Sequence, residues 1–134
     1  MSDTTTNSRI KTFQAAVTIG SENLLVALNA VGQVVIATAT TVQKILGTAL
    51  YPVASGEQVA VKLLSPGETF EVIAFTAAGT ISPGNLLYPA SGGAVATTAI
   101  GTAGIHPAFL SLATATTGDV IEALPYLYGA AVSP

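Results

Sequence analysis

The chain has 134 residues, room for one core of ordinary size; half of them are hydrophobic and only 8% are charged, against about 25% in common soluble domains. Its four basic residues, Arg9, Lys11, Lys44 and Lys62, leave a net charge of −3 and cannot neutralise a run of phosphates, which excludes nucleic acid as a partner. Without cysteine there are no disulfides or thiolate metal sites, a single histidine excludes an imidazole cluster, and no apolar run approaches the about 20 residues of a membrane-crossing helix. With 6% aromatic residues and no Trp, the girdles of an outer-membrane barrel are missing as well, so no membrane partner is expected. The first eight residues are polar where a secretory leader needs a basic start and an apolar stretch, so export by that route is not expected.

Residues 1–13 are dominated by Thr, Ser, Asn and Asp and bury too little apolar surface to offset the entropy of ordering, which predicts a flexible, extended N-terminal arm. Inside it, Arg9-Ile10-Lys11-Thr12-Phe13 sets apolar side chains beside cations, as suits a segment that orders on a partner; a plain frayed terminus is the alternative. Arg9, Ile10, Lys11 and Phe13 are the candidate binding residues.

Residues 14–134 read as a single β domain, because Val, Ile, Thr and Ala recur in short runs broken by Gly and Pro. The expected fold is all-β: a compact small β-barrel or β-tulip-like domain of short strands. Strands are predicted over residues 24–28, 33–38, 45–50, 58–64, 69–75, 85–88, 94–98, 108–112 and 119–124. In 58–64, Val59, Val61 and Leu63 alternate with Gln58, Ala60 and Lys62, so one face is core. In 69–75 both Phe70, Val72, Ala74 and the opposing Ile73, Phe75 are apolar, which predicts burial from two sides and a place at the sheet centre or at an interface. Turns are marked by Ser65-Pro66-Gly67, Ala78-Gly79, Ser82-Pro83-Gly84 and Ser91-Gly92-Gly93, and the one helical candidate is a single turn over residues 41–45.

A weak internal repeat runs through this pattern. Leu24-Leu25 aligns with Leu86-Leu87, and Gly56-Glu57 with Gly118-Asp119, both at an offset of 62 residues. Ala30-Val31-Gly32-Gln33-Val34 resembles Ser91-Gly92-Gly93-Ala94-Val95 after a one-residue gap. Duplication and chance similarity among Ala, Gly, Thr and Val both remain open at this level.

Groups capable of chemistry are scarce. No Gly-X-Ser-X-Gly elbow occurs, and the sole histidine, His106, stands before Pro107 and an apolar strand, a packed or turn position rather than a base. The close carboxylate pairs, Glu68 with Glu71 and Asp119 with Glu122, are three apart, so a strand sends them to opposite faces; they read as solvated charges that blunt strand edges. Gly101-Thr102-Ala103-Gly104 lacks the Lys of a phosphate loop. No catalytic residue, metal ligand or cofactor is expected, and the chain is not read as an enzyme.

Seven acidic and four basic side chains are few for the exterior of a free monomer, which predicts that much of the surface is covered by other copies or by a lattice. The succession Ile45-Leu46-Gly47-Thr48-Ala49-Leu50, Ala54-Ser55-Gly56-Glu57-Gln58-Val59-Ala60-Val61, Ile81-Ser82-Pro83-Gly84-Asn85-Leu86-Leu87-Tyr88-Pro89-Ala90-Ser91-Gly92-Gly93 and Thr117-Gly118-Asp119-Val120-Ile121-Glu122 resembles the order of segments in the capsid cement, or head decoration, proteins of tailed phages. The resemblance implies a virion protein made in the host cytoplasm and seated as a homotrimer on the outer surface of the head. It also implies that the arm, through Arg9, Ile10, Lys11 and Phe13, reaches the major capsid protein. The alternatives are another virion component, of tail tube or fibre, and a small β-rich ligand-binding module; against the last, Tyr126-Leu127-Tyr128 is the one aromatic cluster.

Overall fold

A computed structural model describes residues 9–38, 45–65, 67–74, 80–97 and 108–126. The chain is all-β. Its strands are β1 (Ile10–Gln14), β2 (Leu25–Leu28), β3 (Val34–Ile36), β4 (Ile45–Ala49), β5 (Gln58–Leu63), β6 (Phe70–Ile73), β7 (Leu86–Pro89), β8 (Val95–Ala96), β9 (Phe109–Ser111) and β10 (Val120–Pro125), with a 3-10 turn at Ser91–Gly93 between β7 and β8. Each of the nine predicted ranges matches one of these strands, with β7 and β10 each running one residue past the predicted end. The tenth, β1, occupies residues expected in the arm: Ile10 to Gln14 pair antiparallel with Lys62 to Gln58 of β5. The predicted helical turn lies outside the described residues except for Ile45, which opens β4. Residues 1–8 of the predicted arm, Pro66, Phe75, the Ala78-Gly79 turn, the loop 101–104, His106, Leu127 and Tyr128 also lie outside them.

The strands form two antiparallel five-stranded sheets in the orders β1-β5-β4-β2-β3 and β6-β10-β9-β7-β8. Adding five to every label of the first gives the second, so the two halves share one topology. The register agrees pair by pair. Val26 opposite Gly47 matches Leu87 opposite Phe109, and Thr48 opposite Lys62 matches Leu110 opposite Leu124. Each sheet curls until its end strands meet at one parallel bridge, Ala15 to Val34 in the first half and Ala74 to Val95 in the second. Closure of this kind protects sheet edges that would otherwise recruit foreign strands.

The repeat is therefore structural, and its spacing varies along the chain. The offset is 62 residues at the Gly56 and Gly118 turns, as the sequence indicated. At β2 it is 61: Leu25 matches Leu86 and Val26 matches Leu87, one residue away from the alignment of the leucine pairs. Two neighbouring leucines fit either register, and only strand pairing decides which of them faces inward.

Two clusters of buried side chains fill the halves. The first holds Ala15, Ile19, Val26, Val34, Ala49, Val59 and Val61, with Phe13, Leu46 and Leu63 packed at its margin. The second is built on Phe70, Val72, Ile81, Leu87, Val95, Phe109, Ile121 and Ala123, and it also takes in Leu25, Ala27 and Ala37 from the first half. Strand β2 thus sends Val26 into one core and Leu25 and Ala27 into the other, and all three are fully buried. The two-sided burial expected at residues 69–75 belongs here instead. In β6 Glu71 is exposed and Ile73 half-buried, because β6 ends its sheet and only Phe70 and Val72 face a core.

Candidate interaction site

The four candidate binding residues fall on the first strand and the residue before it. Phe13 is half-buried against the first core, opposite Val59, so its ring serves the fold. Arg9 is drawn into the joint between the halves: its Nη1 lies 2.9 Å from Glu68 Oε2, and its carbonyl accepts the Leu63 amide at 2.7 Å. Ile10 and Lys11 are both exposed, on opposite faces of β1.

The joint is built from residues that the sequence placed in strands and turns but not in a common site. At the end of β5 the Lys62 ammonium donates to the Thr69 carbonyl at 2.6 Å, lies 3.7 Å from Glu68 Oε1, and sits 4.4 Å from the centre of the Phe70 ring. Phe70 in turn packs on Phe109, centroids 5.7 Å apart and planes at 56°. A lysine from the first half thereby covers one of the two buried phenylalanines of the second, and the connection between β5 and β6 is held by charge at both of its ends. Exposed ion pairs stabilise by at most about 1 kcal/mol, so the aromatic burial carries most of the energy here.

The carboxylates take structural places. Glu57 Oε1 accepts the Ala54 amide at 2.9 Å, and Asp119 Oδ2 accepts the Thr116 amide at 2.9 Å, the same cap at matched positions of the two halves. Gly56 and Gly118 stand beside them with φ of 92° and 82°, the positive values expected of those turns. Glu68 pairs with Arg9 and Lys62, whereas Glu71 stands directly opposite Glu122 across β6 and β10. The sequence pairs Glu68 with Glu71 and Asp119 with Glu122 do not come together as pairs; the facing acids come from different strands. No group of three His, Asp or Glu able to hold a metal ion occurs among the described residues.

Several large apolar side chains stand on the surface. Ile10, Val17, Leu28, Val31, Tyr51, Leu112 and Val120 are exposed, and Val31 is the most open at 76%. It stands on the β2–β3 loop, where Asn29 Oδ1 accepts the amides of Val31 and Gln33 at 3.0 and 2.9 Å. The signal in the sequence was an Asn three residues before a Gly between two apolar runs, a tight hairpin turn.

No family model matches the chain. A search of curated proteins found no match. Among solved structures, the N base of the head fibre gp8.5 of bacteriophage phi29 matches with a TM-score of 0.64 at 17% identity, over 87% of this chain and 92% of that one. At that identity the likeness is one of fold, and its extent takes in both halves of the repeat.

Proposed function

We propose that the protein is a structural component of a tailed-phage virion, attached to the outer surface of the head, where it decorates and stabilises the shell as a homotrimer. The observation that carries this reading is the likeness over 87% of the chain to the base of a phage head fibre. The composition points the same way, since few charges and many exposed apolar side chains suit a protein whose surface is covered in its working state. The action is mechanical: a protein that binds the assembled shell and not its free subunits stabilises the shell by mass action, and three linked contacts multiply a weak one. Within this reading the shell-facing stretch is the start of β1, an end strand, where Ile10 and Lys11 are exposed on opposite faces with Arg9 beside them; Phe13 holds the strand in place from inside.

The test is a reconstitution on purified particles. Heads lacking the protein are mixed with it, sedimented and imaged; saturable binding at fixed sites on the head exterior, with higher resistance of the shell to heat, is expected. Presence only in tails, or no binding to heads at all, would overturn the reading. A joint Ile10→Asp, Lys11→Glu variant should fold normally and bind heads less tightly.

A further inference from the structure

The first strand of each half ends its sheet, but the two are fixed by different means. In β6 Phe70 and Val72, opposite Ala123 and Ile121, are fully buried and hold the strand by its side chains. The matched residues of β1, opposite Val61 and Val59, are Lys11, which is exposed, and Phe13, which is half-buried; Ile10, Thr12 and Gln14 are exposed as well. Strand β1 is therefore held mainly by its backbone ladder to β5. Its two ends also differ. At one end it is anchored: Gln14 Nε2 donates to the Gly56 carbonyl at 3.3 Å, the Ala15 amide donates to the Glu57 carbonyl and the Ala15 carbonyl accepts the Gly56 amide, both at 2.8 Å, and Ala15 bridges to Val34. At the other end the Arg9 carbonyl accepts the Leu63 amide at 2.7 Å and the Arg9 guanidinium lies 2.9 Å from Glu68. Glu68 belongs to the connection between the halves and stands 3.7 Å from Lys62, so its place does not depend on Arg9.

We propose that residues 9–13 form a strap that detaches from β5 as a unit, hinged at Gln14 and Ala15 and clipped shut by Arg9 on Glu68, while the rest of the fold stays in place. Detachment gives up the half-buried Phe13 ring and little other apolar contact, whereas release of β6 would expose Phe70 and Val72 outright. Segments with few buried contacts open at a free energy well below that of global unfolding. What the strap uncovers is the edge of β5, Gln58 to Leu63, whose freed amides and carbonyls form a template for an added strand. The inference goes beyond the head-surface reading and does not depend on it, because it is tested on the isolated chain.

Amide hydrogen exchange of the whole chain reads the opening at named positions. The Leu63 amide on Arg9 and the Ala15 amide on Glu57 fix the alternation of the ladder, so that Lys11 with Val61 and Phe13 with Val59 are the hydrogen-bonded pairs between them. The amides of Lys11, Phe13, Val59, Val61 and Leu63 should therefore exchange together, at least about tenfold faster than those of Phe70 and Val72, and at rates that barely change in low denaturant. Exchange of Lys11 and Phe13 only along with Phe70 and Val72 would overturn the proposal, as would fast exchange at Lys11 and Phe13 with Val59 and Val61 still protected, which is fraying without detachment. Arg9→Gln and Glu68→Gln should each speed the strap amides by about two- to fivefold, the range of an exposed ion pair, and the double variant should be no faster than the faster single one. High salt should speed the wild type in the same way and leave the double variant unmoved. Rates untouched by both substitutions would refute the Arg9 to Glu68 pair as the clip.

Discussion

The two halves of this molecule repeat one backbone and fill it differently. In the first half the position inside β1 that faces Val61 is Lys11, and the position in β4 opposite Val26 is Gly47. In the second half the matched residues are Phe70 and Phe109, fully buried and in contact. The buried residues of the first core are thus aliphatic and small, with Phe13 at their margin, and the second is aromatic and reaches out to take Leu25, Ala27 and Ala37 from its neighbour. One topology tolerates both fillings because strand pairing and turn chemistry are retained while core volume is redistributed. What is lost is symmetry of role: the second half organises the joint, and the first presents the open hairpin loop.

The sharpest way to break this comparison is to remove the aromatic pair. Phe70→Ala should destabilise the fold by about 3–5 kcal/mol, the range for an aromatic deleted from a core that cannot collapse around the hole. Lys11→Ala, at the matched position of the first half, should change stability by no more than about 0.5 kcal/mol, as is usual for an exposed site. Chemical denaturation of both variants decides the matter; equal losses would mean that the halves do not divide the work as described. The Phe70 variant should also loosen the joint, because the Lys62 ammonium loses the ring beneath it.

The turns test the opposite claim, that the halves are equivalent where the backbone dictates. Gly56→Val and Gly118→Val should each cost about 1–3 kcal/mol, the scale for holding a branched residue at positive φ. The side-chain positions are otherwise open, with nothing within 4 Å at either site, so the cost is one of backbone strain and should be similar in the two halves. Thermal melts of the pair measure it, and a silent Gly118→Val would sink the equivalence.

Much of this was legible in the sequence, and the parts that were not have physical causes. Short β-branched runs between Gly and Pro located nine strands, because side-chain type and turn residues act locally. Strand β1 escaped because Ile10, Thr12 and Gln14 line an exposed face and Phe13 alone reaches the core, a pattern that a polar arm shares. The two-sided strand was sought at Phe70 to Phe75, where apolar residues alternate without a break but for Glu71, and it lies at β2, whose unbroken Leu25-Val26-Ala27 is the commoner signature of burial on both faces. The closing bridges and the loop at Gly93, which is seated against Leu24, Leu25 and Ile36, join residues distant in the chain and leave no local trace. Val31 was visible only as one hydrophobic residue in a turn, and its exposure is seen only in the structure.

The smallest effect concerns a place where the halves differ in charge. Glu71 and Glu122 face each other across β6 and β10, where the first half has Thr12 opposite Ala60. The Leu112 amide donates to the Glu122 carbonyl, so the backbone of Glu122 is turned toward β9 and its pairing with Glu71 is of the non-hydrogen-bonded kind, the closer of the two, with Cα atoms about 4.5 Å apart. Like charges placed directly opposite destabilise a strand pair, and exposure to solvent keeps the penalty small. Glu71→Lys converts repulsion into attraction and should raise stability by about 0.2–1 kcal/mol at low salt. At high salt the gain should shrink, since screening acts on the repulsion lost and the attraction gained alike. Thr12→Lys, which adds the same cation opposite an alanine, should bring no such salt-dependent gain. Melting curves of the two variants at low and high ionic strength compare them directly; a Glu71→Lys protein that is no more stable than the wild type at low salt would show that the two acids already stand apart, and that the second half tolerates its facing charges by bending its strand edge rather than by enduring them.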